Sequence, residues 1–531
     1  MIIGCGDDSP TPASAPVGAG KQQATLTDRS APKSHLPSPE STPKVSPLEA
    51  PGAYFKGITS KRLDRAPAIR PPKGARSAVL IVMDALNARH LGLYGYHRDT
   101  SPVIDGIAQE GIFFTNHVSN SSWTRPSYTT IITGLPKSEH GVELGSGQLE
   151  DRIATVAERF QEAGYHTAGI VGNPLVREIW GFGRGYQVYK DTASFDKAFP
   201  WDGKLIDEAI DWLKTQGDHP FFLTLFLTSA HVPYRPPRLA RRFLKTVPKG
   251  PILEYPFREY PSPLKKGDHD RIVAAYDDEI AYMDREIGRL VSYLKSKGQY
   301  DETVIVLTAD HGEAFGNHNC YTHTYHMWEQ TLRVPLIIHA PDIQIRGVYD
   351  DRPYTHEDIV PTLLDLSGQS DHKKGLPGRS IAKMLADRTS GRERVRLSQY
   401  NAHGIRRQAI RDGRYKVIHY HRIDESALKR LNSLHSAIRT ADPEELPSLV
   451  ASLKGERYEA YDLFRDPEEK TDEFAELESR PEIQSLLKEL RIYLKEKDDI
   501  RKLSKETVEA LKNSGYFISD DDAKRLEETS E

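Results

Sequence analysis

Cysteine is nearly missing from this chain: two residues in 531, Cys5 and Cys320. That excludes a disulfide framework and, in practice, a cysteine-built zinc site. A large excess of charge of one sign is missing too. A formal net charge of −4 leaves no concentrated basic face of the kind that nucleic acid requires. No run of about 18 apolar residues occurs, so no segment reads as a membrane-spanning helix. No internal repeat is visible. What is present, 38% hydrophobic and 28% charged residues, is the composition of a globular protein. The length allows one large elaborated domain or two or three average ones.

The first twenty residues, "MIIGCGDDSPTPASAPVGAG", resemble the end of a bacterial lipoprotein signal, in which a cysteine after a small residue is lipidated. The basic start and most of the apolar stretch of such a signal are absent. The alternative is a chance cysteine in a disordered leader. A lipid anchor at Cys5 would place the protein in the cell envelope, periplasmic or extracellular. Residues 1–75, rich in Pro, Ser, Ala and Lys, read as a flexible linker or tether.

The character changes at "SAVLIVMDALNARHLGLYGY". Ala78–Met83 is a continuous apolar run, as in a strand buried on both faces. Similar runs recur in "HTAGIVGN", "PFFLTLFLTSAH", "ETVIVLTADHG" and "RVPLIIHAP". Helical patterns lie between them. "DRIATVAERFQEAG" and "KLIDEAIDWLKTQG" each stop at a glycine, and residues 268–298 keep apolar side chains at three-to-four spacing. Alternating strands and helices predict an α/β domain over 76–385 around a largely parallel sheet. From 386 to 531, "IRRQAIRDGRYKVIHY" and "YEAYDLFRD" predict a smaller β-containing subdomain, followed from Pro481 by a charged helical tail.

Sites in open α/β sheets form beyond the carboxyl ends of strands. Asp84, Asn173, His231 and the pair Asp310–His311 occupy those exits. Two carboxylates and an imidazole at one end of a sheet suit a divalent cation: Ca²⁺, Mg²⁺, Mn²⁺ or Zn²⁺. In "SSWTRPSYTTIITG", Thr124 stands where a helix begins, with Pro126 in place for the first helical position. Its hydroxyl is either a helix cap or a fourth ligand and nucleophile, since coordination is one way to activate a poor nucleophile. A helix start behind it would add donors for a bound anion. Arg125 is either an anion contact or a packing residue. Lys416 reads as an exposed strand residue, Cys320 as a structural or incidental thiol. The histidines of "HNCYTHTYH", His318, His323 and His326, read as a solvated loop from which one or two reach the site.

Taken in order, "VLIVMDALNARHLGLYGY", "WTRPSYTTIITGLPKSEHG", "SAHVPYRPP", "LTADHGEAFGNH" and "LRVPLII" resemble the signature blocks of the sulfatases, within the alkaline phosphatase superfamily. The resemblance spans roughly residues 76 to 520. It implies a mixed, mostly parallel central sheet flanked by helices, a small C-terminal antiparallel-sheet subdomain and one divalent cation or a pair. It makes Asp84, Asp310 and His311 metal ligands and puts Thr124 at the nucleophile position. His231 and His323 fall near the substrate anion or its leaving group, and the substrate is an anionic sulfate or phosphate ester.

Four departures from the family pattern matter. The family's nucleophile is Cys or Ser, oxidised to formylglycine; here it is Thr124. The motif's arginine is Tyr128, the second aspartate after the first strand is Ala85, and the lysine of Gly-Lys-x-His is Asn173, which would contact substrate in its stead. A formylglycine hydrate eliminates sulfate from a hemiacetal. An unmodified threonine cannot, so its covalent adduct must pass to water or to another acceptor. The resemblance therefore leaves three functions open: a metal-dependent sulfate or phosphate ester hydrolase, a phosphodiesterase or phosphoglycerol- or phosphoethanolamine-type transferase, and an inactive sulfatase-like binding protein.

Overall fold

A computed structural model describes residues 55, 57–63, 74–143, 148–195, 201–248, 266–319, 321–323, 326–386, 394–402, 405–422 and 455–493. Cys5 and Cys320, with the expectations placed on them, lie outside these residues. The apolar runs form one nine-stranded sheet built from β1 (Lys61–Arg62), β2 (Ser77–Met83), β3 (Ile112–Phe114), β4 (His166–Val171), β5 (Val188–Lys190), β6 (Phe221–Leu227), β7 (Thr303–Ala309), β8 (Leu336–His339) and β9 (Val348–Asp350). Their spatial order is β1-β9-β3-β8-β7-β2-β6-β4-β5. Every pairing is parallel except those of β8, which runs antiparallel to both neighbours.

Strand β2 shows why its run has no polar alternation. Val79, Ile81 and Met83 face a core shared with α1 (Pro102–Gln109), α4 (Asp202–Leu213) and α5 (Lys266–Ser296). Ala78, Leu80 and Val82 face the opposite core, with α2 (Thr124–Thr133), α3 (Val156–Glu162) and α6 (Ile359–Leu366). Both faces are covered, so every position must be apolar. Helix α3 starts at a capping box in which Thr155 and Glu158 satisfy each other's backbone N–H. Helix α2 ends at Gly134, whose φ of 69° no β-carbon tolerates easily; a Cβ there would also press on Val360 at 3.1 Å.

Four antiparallel strands, β10 (Arg396–Ala402), β11 (Ile405–Arg411), β12 (Tyr415–Tyr420) and β13 (Arg457–Asp462), form the second sheet. Its two faces alternate as strand geometry requires. Val417 packs under α7 (Pro481–Tyr493), while Ile418 and Tyr420 join the large core. Among the described residues, no helix is long and apolar enough to cross a membrane.

Three expectations change. The folded unit begins before residue 75: Phe55 is buried beside Tyr94, ring centroids 4.6 Å apart, and β1 joins the sheet edge with Arg62 donating to Asp351 at 2.7 Å. Lys416 is not an exposed strand residue but fully buried. It shares the Ile418 face of β12, where its ammonium meets Glu469 at 2.7 Å and Glu329 at 3.2 Å. Glu329 in turn binds Arg411 at 2.5 Å and Arg333 at 2.6 Å, so charges span the junction of the two sheets. Pro126 is the third residue of α2 rather than the first, because the helix already starts at Thr124.

Candidate active site

The register of the sheet builds the site. Met83 of β2 pairs with Ala309 of β7, so the next residues, Asp84 and Asp310, leave the sheet side by side. The chain then turns sharply at Ala85, a non-glycine residue at φ 55°. That conformation costs about 1–3 kcal/mol and persists only when its surroundings hold it. Here they do: the Ala85 N–H donates to Asp310 Oδ1 at 3.1 Å, and its carbonyl accepts from the Tyr276 hydroxyl at 2.8 Å. Gly312 follows His311 because a Cβ there would stand 2.2 Å from the Gln330 carbonyl oxygen.

Each of three buried side chains commits one atom to the protein and turns another inward. Asp310 Oδ1 accepts the backbone N–H groups of Ala85 and His311, the latter at 2.8 Å. Asp84 Oδ2 accepts from Asn173 Nδ2 at 2.6 Å. His311 Nδ1 donates to the Gly312 carbonyl at 3.0 Å, which leaves the lone pair on Nε2, facing the Thr124 hydroxyl at 3.2 Å. Among the described residues, Asp84 Oδ1 and Asp310 Oδ2 are buried with no hydrogen-bond partner. They lie 3.7 and 3.4 Å from His311 Nε2. One ligand atom from each of the three residues falls within 4.8 Å of the others. Buried polar atoms are rarely left unpaired, and two carboxylates with an imidazole are the donor set of a hard or borderline divalent cation. The residues fit such an ion.

Electrostatics agrees. Burial, then the Asp310 charge, pushes the Asp84 carboxyl well above its ordinary range. Burial raises Asp310 to about 7 against the backbone N–H groups and the Thr124 hydroxyl that favour its anion. Burial lowers His311 to about 4, keeping it neutral and able to coordinate. A bound cation reverses the carboxylate shifts.

Thr124 is the first residue of α2. Trp123 is the N-cap and caps with no side-chain hydrogen bond, so the Thr124 hydroxyl is not the cap. Its Oγ1 lies 3.2 Å from His311 Nε2, in the first turn of α2. His231 donates Nδ1 to the Val232 carbonyl at 2.5 Å. Its pKa falls to about 3, through burial and then the nearby His311. His323 packs 4.2 Å from the His311 ring and 5.0 Å from the His231 ring, centroid to centroid. His318 and His326 stack instead on Trp328, at 3.9 and 5.1 Å.

Two further candidates, Arg125 and Asn173, have contacts of their own. Arg125 follows Thr124 in α2. It is fully buried, its guanidinium 4.6 Å from the centroid of the Trp180 ring, and burial lowers it to about 9. Asn173 sits behind Asp84: its Oδ1 accepts the Leu175 N–H at 2.8 Å, which orients its amide N–H toward the carboxylate. Tyr128, in the arginine's place, lies in the core, stacked on Phe226 at 4.8 Å. Three supporting residues carried no sequence signal of their own. Ser119 Oγ donates to the Asp310 carbonyl at 2.6 Å, the His356 Nε2 donates to the Ala309 carbonyl at 3.0 Å, and Glu313 holds His323 Nδ1 at 3.1 Å. Glu313 stands two residues after His311, inside the block that carries Asp310 and His311.

The family model for Sulfatase matches residues 76–369, and that for the N-sulphoglucosamine sulphohydrolase C-terminal region matches 316–457. A sulfatase of Formosa agariphila is 23% identical over 457 residues, 75% of this chain and 89% of its own. A solved structure described as bound to its substrate D-glucosamine-2-N,6-O-disulfate superposes with a TM-score of 0.62 at 19% identity, over 79% of this chain and 98% of that one. The phosphonate monoester hydrolase of Agrobacterium radiobacter superposes with a TM-score of 0.60 at 19% identity, covering 78% and 95%. With the Sulfatase model matching more than half of its length, this chain belongs to the sulfatase family of ester hydrolases.

Proposed function

We propose that the chain hydrolyses an anionic sulfate, phosphate or phosphonate ester with unmodified Thr124 as nucleophile. The observation that carries this is the placement of Thr124 Oγ1 3.2 Å from His311 Nε2, beside two unpartnered carboxylate oxygens. Asp84, Asp310 and His311 would hold one divalent cation, which when bound supplies charge that acidifies a hydroxyl and neutralises an ester oxygen. The helix start of α2 orients the ester's remaining oxygens through backbone N–H groups. Thr124 gives its hydroxyl proton to solvent as Oγ1 attacks the sulfur or phosphorus in line, and the ester bond to the leaving oxygen breaks. His323 or His231, burial-depressed and neutral at rest, takes a proton from solvent once the anionic ester is bound and gives it to that oxygen. Water resolves the threonine adduct. Transfer to another acceptor, and the phosphodiesterase variant of the reaction, use the same first step. An envelope location, supported by the Cys5 segment, belongs to the same proposal.

Purified protein with added Ca²⁺, Mn²⁺ or Zn²⁺ would be assayed on aryl sulfates, phosphate mono- and diesters and phosphonate monoesters. Thr124→Ala should lower turnover at least about 10³-fold with unchanged melting, and Thr124→Ser should keep most of it. Intact mass of trapped enzyme should show the adduct on Thr124. Equal rates for wild type and Thr124→Ala would refute the nucleophile. No turnover on any class would favour the binding-protein reading.

A further inference from the structure

Glu313 is a fully buried carboxylate that the reaction above does not use. Its two oxygens have different duties. Oε2 accepts from the Tyr234 hydroxyl at 2.8 Å, and Oε1 meets His323 Nδ1 at 3.1 Å. The backbone is pinned as well: the Glu313 carbonyl accepts from Asn87 Nδ2 at 2.8 Å. A buried carboxylate is costly unless hydrogen bonds satisfy it, and here Tyr234 and His323 supply them. Among the described residues, Oε1 meets the histidine that packs against both His311 and His231.

We propose that Glu313 is a positioning residue for the leaving-group step: with Nδ1 of His323 committed to its carboxylate, Nε2 is the ring nitrogen presented to the ester. The order Tyr234, Glu313, His323 then works as an orienting chain, in which a third group fixes the ring that exchanges the proton. In the step itself His323, carrying a second proton taken from solvent, passes its Nε2 proton to the departing oxygen as that oxygen's bond to sulfur or phosphorus breaks, and returns to the neutral ring with its proton on Nδ1. Glu313 gains and loses no bond to substrate. This inference rests on the ester-hydrolase reading of Thr124 and His323.

The test is a leaving-group series on the full chain with added divalent ion. Aryl esters of falling leaving-group acidity are compared in wild type, His323→Ala, Glu313→Ala, Glu313→Gln and the double variant Glu313→Ala/His323→Ala. General acid assistance is worth about 10²-fold or more for poor leaving groups and little for good ones. Glu313→Ala should therefore lose about 10²-fold on the poorest leaving group and under about threefold on nitrophenyl esters. Glu313→Gln, which still accepts from Nδ1, should recover most of the loss. The double variant should be no slower than His323→Ala, because the two act through one ring. If Glu313→Ala does not fold, Tyr234→Phe, which frees the other carboxylate oxygen, should tilt the same slope more weakly. A steepened slope in His323→Ala with none in the Glu313 and Tyr234 variants overturns this inference alone. So does a double variant slower than His323→Ala by the full Glu313 factor. An unchanged slope in His323→Ala overturns it together with the leaving-group role of His323, while Thr124→Ala separately reports on the nucleophile.

Discussion

Removing the charge of Asp310 should stabilise the chelated protein and abolish its response to metal. The buried carboxyl keeps its proton to about pH 7 in the folded protein, against an ordinary value of 3.8. A carboxyl whose folded pKa is raised contributes stability that is complete below about pH 4. That stability is lost as pH climbs toward 7, where the anion must sit unpaired beside Asp84. The difference amounts to about 4 kcal/mol. Unfolding entropy of roughly 2.1 cal/mol/K per residue gives about 0.8 kcal/mol/K for a folded unit of roughly 400 residues. The chelated wild type should then melt about 5 °C below Asp310→Asn at pH 7.5 and level with it at pH 4. The buried His311 and His231, lowered to about 4 and 3, act oppositely, losing stability as pH falls below about 6.5. They are present in both proteins and cancel in the comparison. Added divalent ion at a hundred times its Kd should stabilise wild type by about 2.7 kcal/mol, or about 3 °C by the same entropy, and leave Asp310→Asn unmoved. The assay is differential scanning fluorimetry across pH 4 to 7.5, with EDTA and with metal. Parallel melting curves for the two proteins under EDTA, or equal gains with metal, would refute the reading of these atoms as an empty-handed ligand set.

Asn173→Ala removes the 2.6 Å bond to Asp84 and should weaken metal affinity about 10- to 100-fold, read by calorimetric titration, with a smaller effect on KM. Lys416→Met leaves Glu329 and Glu469 without their shared cation and should cost about 3–5 kcal/mol in denaturant unfolding. Arg125→Met should leave KM for the anionic ester within about twofold; a tenfold rise, equivalent to about 1.4 kcal/mol, would put its guanidinium on the anion instead of on Trp180.

Much of this molecule was written locally. An apolar run such as Ala78–Met83 has one stable use at this length, a strand covered on both faces, and the polar residue that ends it must stand at the strand's exit. That is why Asp84, Asp310 and His311 were legible as a group, and why the strand–helix alternation predicted a parallel sheet. Tertiary structure alone decided what the neighbours of those residues do. Whether a side chain on a buried strand meets solvent or a carboxylate depends on what covers that face, and no local pattern encodes it; Lys416 became the centre of an ion network for that reason. Packing set Arg125 against Trp180, and a backbone N–H at Leu175 turned Asn173 onto Asp84. Glu313 reaches His323 only because the chain folds back between them. Periodicity specifies which residues are buried, whereas partners are set by packing between distant segments, and the chemistry of this site lives in those partners.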